Sequence, residues 1–80
     1  MQKYTEEFLN RLLEECMLIR SDYVTVYLTE QEKPIIGEIM MELANNGYIS
    51  GFCPQMDTFF RCDLTDKALD LCVFNNDVFL

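Results

Sequence analysis

Two hydrophobic periods alternate along this chain, and that alternation limits its fold more than any other feature. Phe8, Leu9, Leu12, Leu13, Cys16 and Met17 recur at helical spacing, with Glu6, Glu7, Asn10, Arg11, Glu14 and Glu15 on the opposite side. The spacing predicts an amphipathic first helix with Thr5 as N-cap and a stop around Arg20-Ser21-Asp22. Tyr23-Val24-Thr25-Val26-Tyr27-Leu28 follows at once, rich in β-branched and aromatic residues, and reads as a short strand. Helix and strand thus follow one another within the first thirty residues.

The second half repeats the pattern. Thr29-Glu30-Gln31-Glu32 has the form of a capping box, and Pro34 places the regular helix near its own position. Ile35, Ile36, Ile39, Met40 and Leu43 share an apolar face of that helix, while Gly37, Glu38, Met41, Glu42 and Asn45 are expected on the exposed one. Asn46-Gly47 supplies a left-handed stop. Two extended runs, 48–53 and 58–63, are joined by Pro54-Gln55-Met56-Asp57. With that turn, Ile49 pairs with Cys62 and Gly51 with Phe60, so Ile49, Phe60 and Cys62 form the buried face. Phe52 and Phe59 are then neighbours near the tip. A last helix opens after Thr65 and breaks at Asn75-Asn76-Asp77, leaving an apolar Val78-Phe79-Leu80 end that packs back or meets a partner. With no repeat and no linker, residues 1–80 read as one domain.

Charge narrows the function classes. Fourteen acids against six bases, and no histidine, give a net charge of −8. Without histidine there is no imidazole base, and the four cysteines, at 16, 53, 62 and 72, contain no CxxC pair to begin a zinc site. They read as free, buried thiols in a reducing cytoplasm, because Met1–Glu7 lacks the pattern of a secretory leader. No apolar run approaches the roughly 18 residues of a membrane span. The paired carboxylates fall on solvent-facing helix positions, and no glycine-rich phosphate motif occurs. No catalytic residue, metal, cofactor or small-molecule ligand is therefore expected.

Helix, strand, helix, two-stranded hairpin, helix is the order of a winged helix. Glu42-Leu43-Ala44-Asn45-Asn46-Gly47-Tyr48-Ile49 resembles the end of a winged-helix third helix entering its first wing strand. Cys62-Asp63-Leu64-Thr65-Asp66-Lys67-Ala68-Leu69-Asp70-Leu71 is similar to the strand, Leu-Thr, helix step that closes many bacterial winged-helix regulators. Over about residues 5 to 74 the chain most resembles the YjcQ-like group of small Firmicute and phage proteins, from which no activity carries over. The resemblance implies a small winged-helix-like α+β domain: three helices and a two-stranded wing hairpin followed by the last helix. One departure stands out. The stretch 21–28 is a poor helix former, so the second helix of a helix-turn-helix is degenerate, very short or replaced by strand.

Winged helices that bind DNA place the third helix in the major groove and a basic wing on the backbone. Here that helix carries Glu38 and Glu42, and Lys3, Arg11, Arg20, Lys33, Arg61 and Lys67 are spread without a cluster. Phosphates would be repelled, so the resemblance to DNA-binding regulators is the alternative reading. The expected function is protein–protein contact by a non-enzymatic acidic domain, as a homodimer or with another protein, with a phage or mobile-element origin in view. Glu38, Met41, Glu42, Phe52 and Phe59 are the candidate partner-binding residues. A third reading is an acidic inhibitor that presents carboxylates, Glu6, Glu7, Glu14 and Glu15 on successive turns of the first helix with Glu38 and Glu42 repeating them, in place of phosphates to a nucleic-acid-binding host protein.

Overall fold

A computed structural model describes residues 1–52 and 58–75 of the chain, with side chains through Cys72. The order of elements is α1 (Lys3–Ile19), β1 (Tyr23–Tyr27), a single 3-10 turn (Lys33–Ile35), α2 (Ile36–Asn45), β2 (Ile49–Ser50), β3 (Phe59–Leu64) and α3 (Asp66–Asn75). The three strands form one antiparallel sheet in the order β1-β3-β2. Among the described residues the fold is thus a small α+β domain with three helices and a three-stranded sheet. The stretch 21–28 holds a strand, β1, and the single 3-10 turn follows it before α2.

Local chemistry explains most of the boundaries. The Thr29–Glu32 capping box forms in both directions: the Thr29 amide donates to Glu32 Oε1 at 2.9 Å, and the Glu32 amide to Thr29 Oγ1 at 3.2 Å. Gly47, at φ 77°, ends α2, with its amide donating to the Ala44 carbonyl and that of Tyr48 to the Leu43 carbonyl. Arg20 ends α1 in the same left-handed conformation, at φ 55° and ψ 47°. The Thr65 hydroxyl donates to the Gly47 carbonyl at 2.5 Å, tying the start of α3 to the end of α2.

One cap differs from expectation. The first helix begins at Lys3, two residues before Thr5, and Gln2 at its N-cap position makes no side-chain bond. Thr5 lies inside the first turn, fully buried. The orphan amides at the start of a helix need acceptors, and part of that need is met from another element, as described below.

The core lies between the helices and one face of the sheet. Phe8, Leu9, Leu12, Leu13 and Cys16 of α1 meet Val24 and Val26 of β1, Phe60, Cys62 and Leu64 of β3, and Ile49 of β2. Ile39 and Leu43 of α2 and Ala68 and Cys72 of α3 complete it. Phe8 and Phe60 meet edge to face, 5.6 Å between centroids and 70° between planes. Ile49, Phe60 and Cys62 are buried together as the sequence implies, but the strand register differs by two. Ile49 pairs with Leu64 and Ser50 with Asp63, not Ile49 with Cys62. A slip of two preserves the faces of both strands, which is why the buried face survives it. β2 is two residues long because Gly51 turns the chain at φ 54°, and a Cβ there would stand 2.5 Å from Asp63 Oδ2.

The turn 54–57, Cys53, and the Val78-Phe79-Leu80 end lie outside the described residues. Cys16, Cys62 and Cys72 are free and buried. Among the described residues no helix is long and apolar enough to cross a membrane, and no group of three or more metal-ligating side chains comes together.

Candidate functional site

The five residues singled out from the sequence do not form one surface. Glu38 and Met41 are exposed on α2, Met41 at 57%. Glu42 is not a solvated contact residue. It is half-buried and accepts the Thr5 hydroxyl at 2.5 Å and the Gln2 amide at 3.2 Å on one oxygen and 3.3 Å on the other. An acidic side chain from α2 therefore supplies the acceptor at the positive end of α1 that no cap residue of α1 supplies. Beside it the Tyr4 hydroxyl donates to Glu38 Oε2 at 2.8 Å. Phe52 is half-buried against the core, and Phe59 is half-buried under the Arg61 guanidinium, whose carbon lies 5.1 Å from the ring centroid. The expected Phe52–Phe59 pair is replaced across the ladder, where Phe59 stands opposite Tyr27.

These bonds leave marks on ionisation. The Thr5 hydroxyl, then the Gln2 amide, hold the Glu42 carboxyl below the usual carboxylate range against the effect of its partial burial. Burial pushes the Glu32 carboxyl up, but the Arg11 guanidinium and the Thr29 amide and hydroxyl outweigh it and leave it lowered. The bond to Glu38 raises the Tyr4 phenol, with desolvation adding to it. A carboxyl lowered in the folded state stabilises the fold above its unfolded pKa, and that stability is lost as pH falls through the folded value. The urea midpoint is accordingly expected to drop between pH 6 and pH 3. Glu42→Gln should lower the midpoint at pH 6 and flatten its dependence on pH. An unchanged slope in that variant would show that Glu42 does not cap α1.

The features that sequence reasoning missed lie on β1. Val24 and Val26 point into the core, so Tyr23, Thr25 and Tyr27 share the outer face of the sheet with Phe59, Arg61 and Asp63. Tyr27 is 78% exposed. Arg61 lies between aromatic neighbours, 5.9 Å from the Tyr23 centroid on its other side, and its Nε donates to Thr25 Oγ1 at 3.1 Å. The alternation of Tyr-Val-Thr-Val-Tyr was the available signal, since burying both valines exposes both tyrosines.

β1 is an edge strand, and beside it lies an open groove of about 350 Å3. Glu14, Glu15 and Leu18 of α1 wall the groove, and Thr25, Val26 and Tyr27 form its floor. Leu18 is 79% exposed on the polar side of α1. Arg11 closes one end: it pairs with Glu32 and donates through Nη2 to the Tyr27 carbonyl at 2.5 Å.

Two of the other bases are also engaged within the chain. Lys33 pairs with Glu30 at 2.9 Å. Lys67 donates to the Asn46 carbonyl at 2.6 Å and sits 4.7 Å from the Tyr48 ring centroid. Lys3 and Arg20 stand at opposite ends of α1, about 25 Å apart along its axis. In comparisons with protein-family models, curated proteins and solved structures, nothing matches this chain.

Proposed function

We propose that this chain is a non-enzymatic interaction domain of winged-helix-like layout that works by contacting another protein, in a reducing cytoplasmic setting. The order of elements and the sheet order β1-β3-β2 support the layout, with α2 in the place of the third helix and β2–β3 in the place of the wing.

One observation carries the choice of protein over nucleic acid. Arg11, Lys33, Arg61 and Lys67 are each engaged by groups of the chain itself, and the two remaining bases are a helix length apart. Affinity for a duplex comes chiefly from cations that neutralise successive phosphates. α2, the element that would enter a groove, turns Glu38 and Glu42 toward the first turn of α1 and offers no base on its exposed side. The same bonds take Glu42 out of the third reading, which then rests on Glu6, Glu7, Glu14 and Glu15 of α1.

Fluorescence anisotropy with a random-sequence duplex at low salt tests this. No saturable binding is expected up to about 10⁻⁴ M protein, the weak end of ordinary non-specific affinity. Micromolar binding that falls steeply with added salt would replace the protein-contact reading with that of a DNA-binding regulator.

A further inference from the structure

We propose that the groove between α1 and the open edge of β1 takes an extended, cationic–apolar peptide segment of a partner protein as an added strand. This rests on the protein-contact reading and names the chemistry of the partner.

Strand polarity fixes which groups β1 offers. The Leu28 amide donates to the Thr58 carbonyl and the Leu64 amide to the Asp22 carbonyl, so residues 22, 24, 26 and 28 are the ones bonded to the β3 side. The amides and carbonyls of Tyr23, Thr25 and Tyr27 point the other way, toward the groove. Two positions are already engaged. The Ser21 hydroxyl serves Tyr23, accepting from its amide at 3.1 Å and donating to its carbonyl at 3.4 Å. The Arg11 guanidinium holds the Tyr27 carbonyl. What stays open for a newcomer is the Thr25 amide, the Thr25 carbonyl and the Tyr27 amide, the set an antiparallel strand centred on Thr25 would use.

The walls specify that strand. Arg11 is neutralised by Glu32, so the groove's remaining charged lining groups are the carboxylates of Glu14 and Glu15. They are complementary to Lys or Arg on the face of an added strand that points toward α1. Leu18 lies one turn beyond them and offers apolar contact to a neighbouring residue of that face. On the outer face, Tyr23 and Tyr27 extend an aromatic surface that suits either a cation or an aliphatic side chain.

Charge also decides against a second copy as the occupant. Tyr-Val-Thr-Val-Tyr is symmetric about Thr25, so two β1 strands have a compatible register. Two-fold pairing there would bring Glu14 and Glu15 of both copies toward one another in an assembly whose halves each carry −8.

The test is a titration of the full 15N-labelled chain with an acetylated, amidated octapeptide alternating Lys and Val. Amide shifts are expected at Leu18, Thr25 and Tyr27, with affinity falling as salt rises. The double change Glu14→Gln, Glu15→Gln, at one exposed and one half-buried position, should weaken binding roughly fivefold or more while leaving the circular dichroism spectrum unchanged. A peptide N-methylated at alternate residues on its bonding edge should bind more weakly still. Equal binding of a Glu/Val octapeptide, equal binding of the methylated peptide, or shifts confined to α2 would overturn the assignment. So would a dimer of the unliganded chain whose concentration-dependent amide shifts fall on Tyr23, Thr25 and Tyr27. Absence of peptide binding in a protein that also ignores duplex DNA overturns the groove alone, whereas saturable duplex binding overturns the reading beneath it.

Discussion

Phe60→Ala is expected to remove about 3–5 kcal/mol of stability, a large share of what a chain of this length has. At roughly 0.05–0.15 kcal/mol per residue, 80 residues give on the order of 4–12 kcal/mol in total. Phe60 is 1% exposed on the central strand, and its ring is the partner of Phe8 across the boundary between helices and sheet. Truncation opens a cavity facing α1 that the neighbours fill poorly, since Val24, Val26 and Leu64 are held by the strand ladder. Phe60→Leu keeps most of the volume and should cost clearly less. Urea unfolding followed by circular dichroism measures both, and a loss below about 1 kcal/mol for the alanine variant would mean that the two layers are not joined through this ring.

The second large effect is a loss of stability in alkali. Burial pushes the Cys62 thiol from its ordinary value of 9.0 up to about 12, with the nearby Asp63 carboxylate adding to it. The folded chain then holds that proton more tightly than the unfolded one. Stability is untouched below pH 9 and falls as pH rises from 9 toward about 12, by up to about 1.4 kcal/mol per pH unit. Burial also raises the Cys16 thiol, in the same direction. Urea midpoints between pH 8 and pH 11 should fall steeply in the native sequence and less steeply in Cys62→Ala, whatever the starting stability of that variant. An independent readout is reaction with a disulfide reagent at pH 8, where only on the order of 10⁻⁴ of the Cys62 thiol is ionised. Parallel slopes in the two proteins would remove Cys62 as the cause.

Legibility in the sequence followed distance along the chain. The Thr29–Glu32 box, the turn at Gly47, the helix after Pro34 and the buried trio Ile49, Phe60 and Cys62 all depend on residues a few positions apart, or on a period that survives an error of two. The strand register itself was not legible. It depends on Gly51 leaving the extended conformation, which lengthens the connection from Ser50 to Phe59 beyond the four residues the sequence suggests. The start of α1 was misread for a deeper reason. Thr5 has the right chemistry for a cap, but Glu42, 37 positions away, supplies the acceptor, and the helix extends past the threonine to Lys3. That same contact removed Glu42 from the candidate partner surface. A helical wheel gives the face on which a residue lies, and only packing gives what that face meets. Leu18 and the tyrosines of β1 illustrate the converse, as their exposure follows from which neighbours α1 and β3 leave uncovered.

Arg11 has a consequence for how the protein survives at high concentration. Five uncharged residues with branched and aromatic side chains, free of proline and glycine, on an open strand edge are the composition from which cross-β stacking grows. Stacking requires every backbone group of the strand to repeat the same bond from one molecule to the next. By occupying the Tyr27 carbonyl with a charged side chain anchored on Glu32, the chain interrupts that repeat at one residue. One guanidinium thus takes one carbonyl out of the repeat that fibril growth needs, and leaves the backbone of Thr25 beside it unoccupied.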